Sequence, residues 1–160
     1  MNQLGGYELA DLRVGMSASF AKTITEADIV LFAAVSGDNN ALHINAEYAE
    51  TTIFKTRIAH GMLSASVISA AIANKLPGPG SIYLSQSLRF LAPVRAGDTV
   101  HAVIQVKEIV SERFRVLLST ECTVRGVVVI SGVALVLLPA KSTAPTRTMP
   151  FREHTEPMIA

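Results

Sequence analysis

One segment of this sequence constrains the fold more than any other, because it is apolar or small at nearly every position. Residues 58–76 read IAHGMLSASVISAAIANKL and run directly into Pro77-Gly78-Pro79-Gly80. This length, ended by Pro and Gly, predicts one long helix. A helix without a polar face is buried on most of its sides. The remaining chain must therefore cover this helix, and its small side chains allow a sheet to approach closely.

The rest of the chain predicts a sheet that can cover the helix. Runs rich in β-branched and apolar residues, bounded by turn-forming residues, lie at 17–24, 81–91, 98–110, 113–124 and 127–138. The last four runs are joined by short connections, which favour antiparallel neighbours. We therefore predict an α+β hot-dog fold, in which a five-stranded antiparallel sheet wraps around one long central helix.

A shorter helix is predicted between the first strand and the long helix. Thr25 and Asp28 have the spacing of a capping box, the apolar pattern covers residues 26–36, and Gly37 follows where a helix typically ends. Residues 37–44 are predicted to form a polar loop, and residues 46–51 a short helical turn.

Length and composition limit the number of domains and the kinds of partner. The chain has 160 residues, and we place a single domain at 8–138. Ser, Thr, Pro and charged residues dominate 139–160, which predicts a C-terminal tail without a core. A net charge of +1 without a basic run argues against nucleic acid as a partner.

Two further features argue against a membrane or secreted protein. The most apolar stretch, residues 127–138, is too short to span a bilayer. Residues 1–6 show no basic region followed by an apolar run, as a secretory signal would. We therefore expect a cytoplasmic protein.

The strand predicted at 127–138 also predicts self-association. A sheet with one wet face alternates apolar and polar residues, but Val127–Ile130 and Val133–Leu138 are apolar throughout. One helix cannot cover both faces of such a strand. We therefore expect a homodimer, in which a second copy of the chain covers the remaining apolar surface.

The segment that carries candidate chemistry joins the two helices. Residues 36–43 read SGDNNALH, so Asp38 and His43 lie five positions apart. One interpretation is a turn, because Ser, Gly, Asp and Asn commonly end helices. A functional interpretation is favoured by the loop position and by the nearby start of the long helix at Gly61. Backbone N–H groups at a helix N-terminus carry partial positive charge and suit a developing anion.

This segment resembles the MaoC-like, or hydratase 2, family of (R)-specific enoyl-CoA hydratases. The residues that match its motif are Phe32, Ser36, Gly37, Asp38, Asn40, His43 and Ala49. Residues 58–63 are similar to the start of the family's central helix, and 80–98 to the following strands. One position departs from the pattern, because Ala41 stands where the family usually has a proline.

The resemblance implies roles for several side chains in the hydration of a trans-2-enoyl-CoA to an (R)-3-hydroxyacyl-CoA. Asp38 and His43 would hold and activate one water, and the Gly61 N–H would stabilise the negative charge on the thioester oxygen. Asn40 would fix the loop or hydrogen-bond near the water. Ser69 resembles a serine that the family keeps in this helix. No cofactor is implied, and the substrate would be an acyl-CoA thioester.

Other assignments stay open at this point. Arg89 and Arg95 are candidates for the CoA phosphates, with solvated strand-edge charges as the alternative. His60 could join Asp38 and His43 as a metal site, but no helical His pair or Cys ligand supports a metal, so a structural role tying the helix start to the loop is favoured. Cys122 is interpreted as a small buried hydrophobe.

Two other functions suit the same fold. A hot-dog acyl-CoA thioesterase would use an acidic residue near the start of the long helix, and none stands at 58–66. A non-catalytic acyl-thioester binding protein would not need both Asp38 and His43. Acyl chain length and pathway, including polyhydroxyalkanoate precursor supply and fatty-acid breakdown, are left open by the sequence.

Overall fold

The structure, a computed structural model, describes residues 1–139 of the chain. Its helices are α1 (Glu26–Ser36), α2 (Ala41–Ile44), α3 (Ala46–Thr51) and α4 (Gly61–Asn74). Its strands are β1 (Ser17–Thr23), β2 (Ile82–Phe90), β3 (Thr99–Val110), β4 (Arg115–Val124) and β5 (Val127–Leu137). Among the described residues, no helix is both long enough and apolar enough to cross a membrane.

The five strands form one antiparallel sheet in the order β1-β3-β4-β5-β2, and α4 packs against β3, β1 and β4. This arrangement confirms the predicted five-stranded hot-dog fold with one long helix. The core lies between α4 and the sheet, where side chains such as Ile68, Ala102 and Leu118 are fully buried.

One predicted strand pairing is wrong. The short connection between β2 and β3 suggested that they are neighbours, but β2 pairs with β5 and lies at the opposite edge from β1. Three strand spacings of about 4.8 Å separate β2 from β3. Residues 91–98 can span about 26 Å when extended, so they cross the end of the sheet without strain.

The long helix is shorter and less enclosed than the sequence predicts. It begins at Gly61 rather than Ile58, because the Ala59 N–H donates to the Val94 carbonyl at 2.7 Å and holds this stretch extended. Residues such as Met62 and Ser69 are exposed on the side of α4 that faces away from the sheet. A single copy of the chain therefore leaves part of this helix uncovered.

The apolar run of β5 is largely accounted for within one chain. This strand lies between β4 and β2, with Ala134, Val136 and Leu138 buried and Leu135 and Leu137 half-buried beside them. Burial therefore does alternate along β5. Exposed apolar side chains remain on both strands: Val127 and Val133 on β5, and Ile82, Leu84 and Phe90 on β2.

The N-terminal residues are joined to the turn after α4. The Tyr7 N–H donates to the Pro77 carbonyl at 2.7 Å, and the Asn2 side-chain amide donates to the Pro79 carbonyl at 2.8 Å. These bonds attach residues before position 8 to the turn after α4, and the domain bounds of 8–138 stay a prediction. The predicted tail lies, beyond Pro139, outside the described residues.

Candidate active site

The turn that ends α1 positions Asp38, the predicted catalytic carboxylate. The predicted capping box is present at the start of this helix, where the Thr25 hydroxyl accepts from the Asp28 N–H at 3.1 Å. At the other end Gly37 adopts the left-handed conformation (φ 77°), which favours glycine and turns the chain out of the helix. The Ser36 hydroxyl then accepts from the Asp38 N–H at 3.2 Å.

The next turn positions His43, and it is a helix rather than the predicted polar loop. Asn40 caps α2, because its side-chain oxygen accepts from the Leu42 N–H at 3.0 Å. Ala41 is the first residue of this helix, a position at which proline is favoured because its missing N–H has no helical partner. Alanine is also a good helix former, so α2 still forms with Ala41 in place of the family's usual proline.

His43 is oriented by a hydrogen bond to the backbone. Its Nδ1 lies 2.8 Å from the carbonyl oxygen of Ile58, and the side chain is 9% exposed. A carbonyl oxygen can only accept, so Nδ1 carries the hydrogen. In the neutral ring Nε2 then has the free lone pair and can act as a base.

A second histidine lies directly against the first. His60 is 1% exposed, and its ring centroid is 3.9 Å from that of His43 and 5.0 Å from that of Phe32. Its Nε2 lies 2.9 Å from the Asp38 carbonyl oxygen and donates to it. This bond ties the start of α4 to the loop that carries Asp38, as the structural interpretation of His60 predicts.

The start of α4 provides backbone donors. His60 is the N-cap of this helix and its side chain does not cap the first turn. A Cβ atom at Gly61 would lie 2.8 Å from Cε1 of Phe90, so glycine allows this close approach of β2 to the helix start. The first-turn N–H groups of a helix have no partner within the helix and suit an anionic oxygen.

These elements meet at one cavity of about 730 Å³. Asp38, His43, His60 and Gly61 line it on the polar side. Most of its other walls are apolar, and the side chains include Phe32, Phe54, Ile58, Met62, Phe90, Leu91, Val94 and Ile130. The cavity can therefore hold an apolar chain whose polar end reaches the Asp38 and His43 side chains.

None of the four predicted binding residues lines this cavity: Asn40 caps α2, and the other three lie elsewhere. Ser69 is exposed on α4, two turns beyond its start, and Arg89 is exposed on β2. The Arg95 guanidinium donates to the Thr56 hydroxyl at 3.1 Å and to the Phe54 carbonyl at 3.3 Å, and so supports the cavity wall that Phe54 forms. Their part in substrate binding stays a prediction.

Sequence analysis did not identify the apolar walls of the cavity. Phe54 comes from the loop after α3, and Phe90 and Leu91 come from the end of β2. Nothing in the sequence distinguishes these residues from ordinary core residues. Phe32 of the motif and the stretch from Ile58 to Met62 at the helix start are the sequence signals that point to this cavity.

Fold and site together define a hot-dog-fold protein with a carboxylate and an imidazole facing an apolar cavity beside a helix N-terminus. The family sequence model described as MaoC like domain matches residues 12–127, and the chain belongs to this family. The resemblance found in the sequence is thereby confirmed.

Individual relatives agree with this assignment. The chain is 58% identical to an (R)-specific enoyl-CoA hydratase of Rhodospirillum rubrum over 82% of this chain and 91% of that protein. It is similar to the unliganded structure of R-hydratase PhaJ1 from Pseudomonas aeruginosa, with a TM-score of 0.80, 47% identity, and coverage of 85% and 88%. An (R)-hydratase of Aeromonas caviae, described as involved in PHA biosynthesis, gives a TM-score of 0.77 and 41% identity over 80% and 98%.

Proposed function

We propose that this protein is an (R)-specific enoyl-CoA hydratase, which adds water to a trans-2-enoyl-CoA and catalyses the reverse dehydration. The observation that carries the proposal is that Asp38, His43 and Gly61 line the same apolar cavity. An acyl chain requires such a cavity, and the addition of water requires an acid–base pair at its polar end. The (R)-hydratase relatives support this choice of reaction.

The water is activated by the two side chains together. The thioester carbonyl makes the β-carbon electrophilic, and His43 Nε2 accepts one proton as the water oxygen bonds to that carbon. The Asp38 carboxylate orients the water and carries its other proton to the α-carbon. His43 then returns its proton to the new β-oxygen, so the double bond is replaced by one C–O and one C–H bond. A positioned base of this kind contributes about 10²–10⁴-fold to the rate.

Charge on the thioester oxygen is stabilised by the start of α4. The Gly61 N–H is the donor, supported by the positive end of the helix dipole. The absence of a Cβ atom lets the thioester approach this N–H. Losing a donor of this kind costs about 3–4 kcal/mol of transition-state stabilisation.

A single incubation tests the activity and separates it from the alternatives. Purified protein is mixed with crotonyl-CoA and no added cofactor, and the absorbance of the conjugated thioester is followed together with free thiol and product chirality. The proposal predicts loss of absorbance, no thiol release and an (R)-3-hydroxyacyl product. Release of free CoA would instead indicate a thioesterase, and tight binding without turnover would indicate a non-catalytic acyl-thioester binder.

We also propose that the protein is a homodimer, in which β2 meets a second copy. Among the described residues β2 is paired only with β5, so its other edge is open. Ile82, Leu84, Phe90 and Leu91 are exposed large hydrophobic residues on or next to this strand. An open apolar edge strand favours pairing with another chain. Sedimentation velocity should show a dimer, and a monomer across the micromolar range would contradict this proposal.

We further propose roles for the other residues that the family resemblance points to. Asn40 acts as a positioning residue, since it caps the helix that carries His43. Ser69, Arg89 and Arg95 are proposed to contact substrate in the dimer, where the surroundings of their exposed side chains differ from those in one chain. The cytoplasmic location expected from the sequence stays a prediction.

A further inference from the structure

His60 has a buried nitrogen that the proposed reaction does not use. Its Nε2 donates to the Asp38 carbonyl, so Nδ1 carries the lone pair. That Nδ1 is the one buried side-chain nitrogen or oxygen among the described residues that has no hydrogen-bond partner. Buried polar atoms nearly always have a partner, so this nitrogen is available to a bound molecule or ion.

The neighbours of this nitrogen are also acceptors. One ligand-type atom from each of Asp38, His43 and His60 lies within 4.8 Å of the other two. The Asp38 carboxylate accepts only, and His43 has its free lone pair on Nε2 because Nδ1 donates to Ile58. The cluster therefore holds three acceptor groups: the Asp38 carboxylate, whose Oδ1 accepts from the Asn40 N–H at 3.3 Å, and one ring nitrogen each of His43 and His60 to which no described group donates. A water molecule can donate to only two of them at once, whereas a cation can bind all three lone pairs.

Both histidines are held as metal-binding histidines are held. A ligating imidazole almost always donates its other ring N–H to a carboxylate or a backbone carbonyl, which fixes the tautomer and the ring orientation. His43 does so to Ile58 at 2.8 Å, and His60 does so to Asp38 at 2.9 Å. The sequence analysis named these three residues as a possible metal site but favoured a structural role for His60, because the two rings come from α2 and from the start of α4, without the local spacing of a metal motif.

We propose that this cluster is a binding site for a divalent transition metal, Zn²⁺, with Asp38, His43 and His60 as its ligands. Zinc binds imidazole nitrogen and carboxylate oxygen at about 2.0–2.2 Å, which places neighbouring ligand atoms about 3.4 Å apart. To reach this spacing, ligand atoms that lie within 4.8 Å of one another must approach, and the His43 and His60 rings, whose centroids are 3.9 Å apart, must turn toward a common point. The Asp38 side chain is exposed, and its Oδ1 would give up the 3.3 Å hydrogen bond that it accepts from the Asn40 N–H. The fourth position remains open to water.

The metal acts as a reversible inhibitor rather than as a cofactor. It occupies the place of the reacting water and coordinates the lone pairs of Asp38 and His43 that hydration requires. Binding of the metal is independent of the proposed function, and only the inhibition rests on it. The two can therefore fail separately.

Calorimetric titration of the full-length protein with Zn²⁺ tests the site, and Co²⁺ absorption in the visible range reports the coordination geometry. We expect one Zn²⁺ per chain in the wild-type protein. His60→Gln keeps an amide N–H toward the Asp38 carbonyl and removes the ring lone pair, so the affinity should fall by at least about 10–100-fold. His101→Gln, which changes an exposed histidine on β3, is the matched control and should bind as the wild type does.

A second variant keeps the test decisive if His60→Gln does not fold. Asp38→Asn changes an exposed side chain and leaves the backbone carbonyl that His60 contacts, so it should fold and still lose the same affinity. The proposal is overturned if the wild type binds no stoichiometric Zn²⁺, or if both variants bind as tightly as His101→Gln. Stoichiometric Zn²⁺ binding by a protein that does not hydrate crotonyl-CoA would contradict the proposed function and leave the metal site standing.

Discussion

The hydrogen bond from His43 to Ile58 allows the stability of the site to be separated from its chemistry. The Nδ1–H donates to the Ile58 carbonyl at 2.8 Å in a buried position, while Nε2 is left for the water. An asparagine side chain places its amide nitrogen near the position of Nδ1, and a glutamine side chain places it near the position of Nε2. His43→Asn therefore keeps the structural bond, and His43→Gln loses it.

The expected difference in stability follows from the carbonyl group that is left behind. An unpaired buried acceptor costs about 1–3 kcal/mol, so His43→Gln should be less stable than His43→Asn by this amount. For a chain of this length, each kcal/mol lowers the melting temperature by about 2–4 °C. The melting temperature of His43→Gln should therefore lie about 2–12 °C below that of His43→Asn.

Thermal melts and the crotonyl-CoA assay together test this prediction. Neither amide is a base at neutral pH, so both variants should lose about 10²–10⁴-fold in rate even though their stabilities differ. Two variants of equal stability would show that the Nδ1 bond contributes nothing. A His43→Asn enzyme with a near-normal rate would refute the assignment of Nε2 as the base.

Three other features give direct tests. Gly61→Ala keeps the N–H but brings a Cβ atom to 2.8 Å from the exposed Phe90 ring, which should move aside at little cost in stability. The Cβ atom should hold the thioester oxygen away from the N–H, so kcat/KM should fall by up to about 10²–10³-fold, the loss expected when such a donor no longer acts. An unchanged kcat/KM would contradict this role of Gly61. The Thr25 N–H and hydroxyl hold the pKa of Asp28 below its usual range. The stability that this cap contributes is therefore present above the unfolded-state pKa of Asp28 and is lost as the pH falls through its folded-state pKa. The melting temperature of an Asp28→Asn variant should fall less steeply in acid than that of the wild type, and identical acid profiles would disprove the linkage. Burial raises the pKa of Cys122 to about 12, so iodoacetamide at pH 8 should label the thiol only after unfolding, and rapid labelling of the native protein would refute the buried assignment.

Local patterns in the sequence were sufficient for most of the elements. Both ends of α1 are set by residues within one turn: the Thr25–Asp28 capping box at its start and the left-handed Gly37 at its end. The predicted and observed bounds of α1 therefore agree. The strands agree to within about two residues for the same reason, since turns such as Arg125-Gly126 fix them locally.

Local sequence patterns could not predict features that depend on residues far apart in the chain. The pairing of β2 with β5 joins segments that are far apart in the chain, whereas the short connection between β2 and β3 gave the opposite expectation. The late start of α4 has a similar cause, because the Ala59 N–H bonds to Val94 from another part of the chain instead of joining the helix.

The same division holds for the site. Asp38, His43 and Gly61 were predicted from a motif and lie together at one cavity. The Phe54 wall could not be predicted, because an apolar loop residue has the same signature whether it lines a cavity or fills a core. The unpaired Nδ1 of His60 depends on a bond to a residue twenty-two positions earlier in the chain, which no local spacing reveals.

The proposed hydration depends most on the Asp38 carboxylate, so the activity of a variant without this carboxylate tests it most directly. The rate of crotonyl-CoA hydration by Asp38→Asn is compared with that of the wild type at matched melting temperatures. We predict a loss of at least about 100-fold with the fold intact, since the water loses the group that orients it and transfers its proton. A folded Asp38→Asn enzyme that hydrates crotonyl-CoA within a few-fold of the wild-type rate would contradict the account.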